Sequence, residues 1–460
     1  MPSSTVSPFQ IKNVLKFENM QVEVNVNFNT AVTRRVIIIL SEVIPTLHTC
    51  ACILFTVQCA MYVAIKPRYP FCCQYAYEYL VIVLPMVIAH TISAKHIYTL
   101  NLIIFILLQI NFLFYYPNMI KKFLQKNVFQ NNRIALISCL RGLTYLITAL
   151  CILAVDFQDF PRTLAKTERY GYSLMDTGVG LFVIVSGLVH KDLRQQRLED
   201  IFKGNLKMIC ILVFLGVGRF VSVKQLDYQE HVTEYGVHWN FFFTIAVCKV
   251  LSTIVLYFSD RVLLLCGLSL VFHEFALYLG LQDWVFSDSP RNSLISANRE
   301  GICSCLGYVS IYVFGVNIKN ILLDRNVTKY ETQIKLIFGT VLMWALTYFV
   351  DLIRPTSRTL ANAGYCVYMD TLLITMTTVL YFVTILVEDK DIYFKVPAIL
   401  YHINTNGLSY FLIANLLTGV VNLSIRTLAV PTILTFIILN IYMMVGLAIM
   451  IYLKVLGLRI

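Results

Sequence analysis

The chain is a succession of long apolar segments separated by short polar connections. A helix needs about 20 mainly apolar residues to cross a bilayer, and about thirteen segments fit that length. They lie near residues 36–62, 78–95, 97–117, 134–156, 172–190, 207–223, 237–258, 261–281, 301–323, 333–353, 361–387, 402–424 and 430–457. Because a helix satisfies its own backbone hydrogen bonds in lipid, the pattern predicts an all-α polytopic integral membrane protein. Its spanning helices would form one bundle, with short interfacial helices between them.

Composition agrees with this pattern. Of 460 residues, 58% are apolar and 14% are charged, whereas soluble domains carry about 25% charged residues. We expect one transmembrane domain over residues 34–460, preceded by a polar segment, residues 1–33. That segment lacks the short apolar core of a cleavable signal, so we expect it to remain attached.

The formal net charge is +11, and the basic residues are scattered through the short connections. This distribution favours topology signals and lipid headgroup contact over nucleic-acid binding. Segments 121–133, 191–207 and 319–335 together hold thirteen Lys and Arg residues. The positive-inside rule therefore predicts a cytosolic C-terminus and, with an odd number of spans, a lumenal N-terminus. The connections 157–171, 224–236 and 282–300 would then be lumenal.

The 13 cysteines lie mostly inside or beside apolar segments. No pair of C-x-x-C units with zinc spacing occurs in the sequence. Small buried apolar side chains are favoured over metal ligands or disulfides, and we expect no metal and no bound cofactor.

The first polar stretch is "AVDFQDFPRTLAKTERYG", residues 154–171. Pro161 is suited to the first position of a helix. A helix from there to Arg169 would place Arg162, Lys166 and Arg169 on one face, next to Asp156 at the end of the preceding span. An interfacial amphipathic turn with snorkelling cations explains the same pattern.

The second stretch is "LDYQEHVTEYGVHWNFF", residues 226–242. Its polar or amphipathic side chains are Gln229, Glu230, His231, Glu234, Tyr235, His238, Trp239 and Asn240. A metal site is conceivable, but the spacing matches no strong zinc signature. An aromatic interface belt is a second interpretation. The density of polar groups favours a pocket for a polar substrate.

The third stretch is "LISANREGICSCLGY", residues 294–308. Ser296 can cap the helix of the ninth span, which would place Asn298, Arg299 and Glu300 on its first turn. These residues are candidates for substrate binding; alternatively, they form only a cap and a headgroup contact.

Polar groups within the spans are also candidates. Asp176 and Arg219 are charges near the predicted lumenal side, and opposite charges in lipid tend to pair, so these two could pair. Asn415 is a weaker candidate, since it could simply bond a neighbouring helix. Asn422 belongs to a glycosylation sequon that lies inside a span, where no glycan could be added.

The stretches "LAVDFQDFPRTLAKTE", "MDTGVG", "YQEHVTEYGVHWNFF", "ANREGI" and "ANLLTGVVNL" occur in order between about residues 150 and 425. They resemble the signatures of the glucosaminyl-phosphatidylinositol acyltransferases, the Pig-W enzymes of GPI-anchor biosynthesis. The resemblance implies transfer of a fatty acyl group, usually palmitoyl from acyl-CoA, to the inositol ring of glucosaminyl-phosphatidylinositol in the endoplasmic reticulum membrane. It also implies that the motif-bearing loops are lumenal and that Asp156 and Lys166 are the essential pair of the D-F-x-x-F-P-R-x-x-A-K pattern.

Acyl transfer to a hydroxyl needs a base and a positive charge for the developing oxyanion. Our hypothesis is that Asp156 is the base, because low dielectric raises a carboxyl pKa. Lys166 would stabilise the oxyanion or hold Asp156, and would need a partner to stay charged. His231 is a rival base.

Other groups suit substrate binding. Glu230 or Glu234 could face the glucosamine ammonium, and Gln229 or Asn240 the ring hydroxyls. Guanidinium groups form paired hydrogen bonds with phosphate oxygens, and the candidates for the lipid or CoA phosphates are Arg162, Arg219 and Arg299.

Two other classes of function remain open from the residues alone. A lipid or solute transporter also places polar residues near broken helices, although no internal repeat is visible. A non-catalytic lipid scaffold would not depend on Asp156. In the acyltransferase interpretation the partners are the two substrates and membrane lipids, with no obligate protein partner evident.

Overall fold

The computed structural model of the protein describes residues 31–65, 70–115, 133–191, 198–225, 232–324, 326–387 and 394–458. Every regular element in these ranges is helical, which confirms the predicted all-α class. The chain divides into a unit of residues 1–41 and a unit of residues 42–460. In the first unit, the described residues belong to a helix. The candidate site belongs to the second unit.

The α-helices are numbered in chain order. They are α1 Ala31–Ile65, α2 Phe71–Glu78, α3 Leu84–His90, α4 Ile97–Tyr115, α5 Arg133–Ala154, α6 Thr177–Leu188, α7 Leu198–Gln225, α8 Val232–Tyr235, α9 Phe241–Phe258, α10 Val262–Ala276, α11 Gln282–Phe286, α12 Leu294–Ala297, α13 Arg299–Leu323, α14 Lys329–Ile353, α15 Ala363–Val387, α16 Ala398–Thr405, α17 Gly407–Ser424 and α18 Thr432–Val455. Five-residue π-helical segments, Tyr79–Val83 and Leu277–Leu281, join α2 to α3 and α10 to α11.

Within the described ranges, 11 helices are long and apolar enough to cross a membrane. The predicted number of about thirteen is therefore not confirmed. The two differences lie at the predicted spans 78–95 and 172–190. The first of these predicted spans falls on the short helix α3 and the π-helical segment before it. The second contains α6, which has only 12 residues because residues 172–176 form part of a loop.

The spanning helices differ in how much of their surface the protein covers. Four are mostly buried. The buried share of the most apolar stretch is 83% in α13, 78% in α1 and in α15, and 72% in α5. In α4, α7 and α14 the corresponding figures are only 17–18%. The first group forms the centre of the bundle. The second group presents apolar side chains outward, as helices in contact with lipid do.

Glycine allows close approach at the centre of the bundle. Gly187 of α6 packs on the backbone of α13 at Tyr312 and Gly315, and Gly315 in turn packs on the Ile184 carbonyl. Gly307 of α13 faces the backbone carbonyl of Ala361 in the connection between α14 and α15. Small residues at such crossings let backbones meet, as is usual for helices packed in membranes. The contact at Gly307 fixes the α14–α15 connection, residues 354–362, against the central helix.

We expect Gly307→Ala to lower the stability of the protein by about 1–3 kcal/mol, because the new methyl group would overlap a backbone oxygen that cannot rotate away. Gly267→Ala is the matched control, since a side chain there would meet no atom within 4 Å. It should be neutral or slightly stabilising, as Ala is the better helix former. Thermal unfolding of the purified variants in detergent measures the difference. Equal melting temperatures for the two variants would contradict the proposed packing.

Candidate active site

Several connections that are far apart in sequence meet at one end of the bundle. The Gly171 N–H donates to the Thr356 carbonyl at 2.9 Å, and the Val237 N–H donates to the Ala297 carbonyl at 2.9 Å. Asp159 accepts from the Thr432 hydroxyl at 2.7 Å. Connections 157–171, 224–236 and 282–300, which the charge pattern predicts to lie on one side, all have their described parts in this assembly. The α14–α15 connection and the start of α18 join them.

Asp156 lies just beyond the end of α5. Its Oδ2 accepts a hydrogen bond from Nδ2 of Asn422 on α17, at 2.8 Å. Burial raises the pKa of the Asp156 carboxyl above its ordinary value, and the Asn422 hydrogen bond and the charge of Arg162 offset this only in part. A half-buried carboxyl with a raised pKa is a better proton acceptor than a solvated one.

Lys166 is held by a carboxylate from a different connection. Its ammonium donates to both oxygens of Glu234, at 2.8 and 2.9 Å. Glu234 also accepts from Nη1 of Arg358 at 3.3 Å, and Nε of Arg358 donates to Asp176 at 2.9 Å. Lys166, Glu234, Arg358 and Asp176 therefore form a continuous chain of alternating charges, which we call the charge chain.

The charge chain gives Lys166 an anionic partner. Burial alone would raise the pKa of Glu234, but the charges of Arg358, Lys166 and Arg219 outweigh burial and lower it to about 2. Glu234 is thus an anion at any physiological pH, and it binds the Lys166 ammonium as a permanent counter-charge. The Lys166 side chain is 44% exposed, so it can still reach a substrate. Glu234 is therefore the partner that Lys166 was expected to need.

Asp176 is the buried end of the charge chain. Its Oδ2 accepts from the hydroxyls of Thr167 and Ser173, each at 2.8 Å. The Asp176 backbone carbonyl accepts from the Tyr365 hydroxyl at 2.8 Å. The carboxylate is 2% exposed, so it shapes the 162–176 loop and anchors Arg358 rather than contacting a substrate directly.

The predicted helix from Pro161 to Arg169 is wrong. Only a single 3₁₀ turn, Arg162–Leu164, forms, and Ala165 is extended. The backbone N–H of Thr167 points to the Asp176 carboxylate, so a distant anion replaces the helical acceptor. The three cations consequently diverge: Arg162 donates to the Val155 carbonyl at 2.9 Å, Lys166 joins the charge chain, and Arg169 lies over the Phe286 ring.

The suggested pairing of Asp176 with Arg219 is also wrong. Asp176 pairs with Arg358, whereas Arg219 is exposed on α7 and acts on Glu234 only through its charge. No sequence pattern indicates Arg358, which stands in a connection free of any apolar pattern. Asn422 was interpreted only as an unusable sequon. The one available signal for Asn422 was its place in the "ANLLTGVVNL" stretch.

Several residues of the second stretch that were candidates for substrate binding instead hold the protein's own structure together. Asn240 caps α9 by accepting from the Phe242 and Phe243 N–H groups, and its amide donates to the Gly216 carbonyl at 2.8 Å. Glu234 is occupied by two cations, so it does not present a free carboxylate to the glucosamine ammonium. Tyr235 is half-buried beside the cluster Phe182, Leu212, Phe241, Phe242, Ala246 and Phe411. Gln229, Glu230 and His231 lie outside the described residues.

The two stretches lock together through Gly236. The backbone there has φ of +105°, which favours glycine, and an added side chain would collide with Asn298. Asn298 accepts from the His238 N–H at 2.8 Å and donates to the Leu294 carbonyl at 2.8 Å. The His238 ring packs edge-on against Phe220. Asn298 and the backbone of His238 therefore hold two loops together.

The third stretch braces its own loop. The prediction that Ser296 caps the ninth span is wrong, because α13 begins after Asn298, whose side chain makes no cap. Ser296 instead forms a reciprocal capping box with Ser293 at the start of the short helix α12. Arg299 is buried and donates to the backbone carbonyls of Ser287 and Ser289, and Glu300 pairs with Arg291 at 2.6 Å. The expectation that Arg299 binds a substrate phosphate is not supported, because loop carbonyls take two of its nitrogens. Asn415 donates to the Phe411 carbonyl one turn earlier on its own helix.

We expect Arg358→Gln to destabilise the protein by about 3–5 kcal/mol, because it leaves the buried Asp176 carboxylate without a counter-charge and removes one of the two cations that bind Glu234. Arg354→Gln, in the same connection, removes only a partly exposed pair with Glu274 and should cost less than about 1 kcal/mol. Thermal unfolding in detergent at pH 7 compares them. If Arg358→Gln unfolded no earlier than Arg354→Gln, the charge chain would not be the anchor of the site.

Comparison with known proteins gives concordant matches over most of the chain. The model of the GWT1 family matches residues 23–453. GPI-anchored wall transfer protein 1 of Schizosaccharomyces pombe is 36% identical over 315 residues, covering 65% of this chain and 67% of the relative. Glucosaminyl-phosphatidylinositol-acyltransferase PIGW of Homo sapiens is 31% identical over 358 residues, covering 67% and 71%. Phosphatidylinositol-glycan biosynthesis class W protein of Dictyostelium discoideum is 32% identical over 350 residues, covering 66% and 70%.

The family match extends over the central spans, the charge chain and both Asp156 and Asn422, and the named relatives confirm the identification as an acyltransferase that the motifs suggest. The chain belongs to the GWT1 family.

Proposed function

We propose that the protein transfers a fatty acyl group, palmitoyl in the first instance, from acyl-CoA to an inositol hydroxyl of glucosaminyl-phosphatidylinositol. The name of the human relative supplies the acceptor lipid and the type of reaction. The names of the fungal and Dictyostelium relatives place them in GPI-anchor formation. The acyl-CoA donor follows from the resemblance of the motifs and from the need for an activated acyl group.

One observation carries the proposal: Asp156 and Lys166 lie at the same end of the bundle, one as a carboxyl with a raised pKa and the other as a cation paired with a carboxylate. Asp156 is a carboxyl whose pKa is raised by burial, and Lys166 is a cation fixed by Glu234. Among the described residues they do not contact each other; Asp156 is bound by Asn422 and Lys166 by Glu234. A substrate that reaches both groups would meet a base at one point and a positive charge at another.

The residues support a simple sequence of steps. Asp156 accepts the proton of the inositol hydroxyl as the hydroxyl oxygen attacks the thioester carbonyl. The negative charge that develops on the carbonyl oxygen is stabilised by the Lys166 ammonium. The C–S bond then breaks, and the proton on Asp156 passes to the departing thiolate. Every atom is accounted for by the two substrates, and both residues return to their starting charge.

We place the reaction in the endoplasmic reticulum membrane, with the site-bearing end of the bundle in the lumen. The distribution of Lys and Arg over the connections supports this orientation, with a lumenal N-terminus and a cytosolic C-terminus. His231 is retained as the rival base, and the test of Asp156 distinguishes the two. A transporter would conduct a solute between the two sides, and nothing in the described contacts favours one.

Asp156→Asn should reduce acyl transfer by at least about a hundredfold, as expected when a general base is lost. Asp159→Asn is the control, since Asp159 lies in the same loop but bonds only Thr432; it should retain most activity. Transfer of radiolabelled palmitate from palmitoyl-CoA to inositol lipid is measured in microsomes with matched protein levels. Full activity in Asp156→Asn together with inactivity in His231→Ala would assign the base to His231 instead.

Asn422→Ala should shift the acidic limb of the pH–rate profile to higher pH, by up to about one unit. The Asn422 hydrogen bond favours the ionised form of Asp156, so its loss raises the pKa of Asp156, and less of the base is ionised at low pH. Asn415→Ala is the control, because Asn415 lies two turns earlier on α17 and bonds only its own helix. A loss of rate that is equal at every pH would show that Asn422 only supports the fold.

A further inference from the structure

Helix α6 ends inside the bundle. Gly187, next to its last residue, packs against Gly315 of α13, and α13 continues for eight residues, about 12 Å, to Leu323. The chain leaving α6 is therefore non-helical at a depth where α13 is still helical. In a membrane, such backbone is stable only where protein buries it or where it lines a water-filled cavity.

Three cations gather where α6 ends. Lys191 follows α6 and is exposed, and Lys249 lies half-buried at the middle of α9. The charges of Lys191 and of Arg141 on α5 both act on Lys249. Lys319 of α13 adds a fourth positive charge nearby, and its ammonium donates to the His190 carbonyl at 2.6 Å. We call Arg141, Lys191 and Lys249 the basic cluster.

The basic cluster lacks a counter-charge within the part of the chain that the structure describes. None of its three members forms an ion pair there, although Asp192, which follows Lys191, lies outside that part. Nε of Arg141 is buried without a hydrogen-bond partner, and Arg141 also interacts with the Tyr145 side chain. A lone cation within a membrane-spanning bundle is unfavourable, and neighbouring like charges add to that cost. A bound anion would remove most of that cost.

The depth of the basic cluster identifies the anion. Lys249 is nine residues beyond Asn240, about 13 Å along α9, and Arg141 is thirteen residues before the end of α5, about 20 Å. The phosphate of an inositol lipid is attached directly to the ring that accepts the acyl group, so it must stay beside Asp156. A phosphate at this distance belongs to a substrate with a long arm between its reactive group and its phosphates. Acyl-CoA has that form, since its pantetheine arm separates the thioester from the pyrophosphate.

We propose that Arg141, Lys191 and Lys249 bind the phosphate groups of the acyl donor, from the end of the bundle opposite Asp156. The proposal rests on the proposed function for the identity of the donor. It lets a donor enter from one side of the membrane and deliver its thioester toward the other. The donor's thioester would reach Asp156 and Lys166 between α5, α6 and α9.

The test uses the purified full-length protein in phosphatidylcholine nanodiscs, which carry no anionic lipid. Binding of CoA and of inorganic pyrophosphate is measured by calorimetry, and palmitoyl-CoA kinetics are measured in parallel. Lys249→Gln and Arg141→Gln should each weaken CoA binding and raise the KM for palmitoyl-CoA by about tenfold, with kcat within about twofold of the unmodified protein. Lys249→Arg keeps the charge and should bind nearly as well. Lys203→Gln, at an exposed pair with Glu199, is the matched control.

Three results would overturn the proposal or part of it. Unchanged affinity for CoA and pyrophosphate in folded Lys249→Gln and Arg141→Gln would refute the phosphate site. Weakened binding of a soluble short-chain phosphatidylinositol to the glutamine variants, with unchanged CoA affinity, would reassign the site to lipid headgroups. A fall in kcat without a change in KM or CoA affinity would show a structural role.

The two proposals can fail separately. If the protein binds CoA through the basic cluster but transfers no palmitate, the proposed reaction fails and the phosphate site stands. If it transfers palmitate while both glutamine variants bind CoA normally, the reaction stands and the phosphate site fails.

Discussion

The arrangement of the site depends on one buried ion network. Arg358 is 5% exposed and lies between two carboxylates, Asp176 and Glu234, that come from different connections. A buried guanidinium is tolerable only with such partners, and each carboxylate in turn needs the guanidinium. The requirement is mutual, so the α14–α15 connection, the 162–176 loop and α8 cannot be displaced independently. Lys166 is positioned by Glu234, and Glu234 is in turn positioned by Arg358.

The interior of the bundle provides the rigid support for that network. Gly307 lets the α14–α15 connection rest on α13, and the Tyr365 hydroxyl links the start of α15 to the Asp176 carbonyl. The central helices thus support the network through these contacts, while the peripheral helices face lipid. This division explains how a polar, highly charged assembly is maintained at the edge of a protein whose composition is mainly apolar.

The sequence predicted the fold class and the meeting of the three loops, because hydrophobic length and the distribution of basic residues are local signals that one chain displays. It did not predict partners. Asp176 and Arg358 are separated by 182 positions, and Asp156 and Asn422 by 266, and no periodicity relates residues at such distances. The helix expected after Pro161 failed for the same reason, since its N–H groups find a distant carboxylate. Residues chosen for their polarity, such as Asn240, Asn298 and Arg299, proved to be caps and braces, because loop backbone at a bundle end also needs hydrogen-bond partners.

The hold that α17 and α18 have on the first loop has a consequence for biosynthesis. Asp156 and Asp159 are each bonded by a residue of the final helical pair, Asn422 and Thr432. Membrane proteins are made from the N-terminus, so the carboxyl that we assign as base emerges long before the residues that orient it. A nascent chain that has threaded all but its last two helices would carry every charged residue of the network and still lack a positioned base. Catalytic competence would then arise only at the last insertion step, so an incompletely inserted chain would not transfer acyl groups.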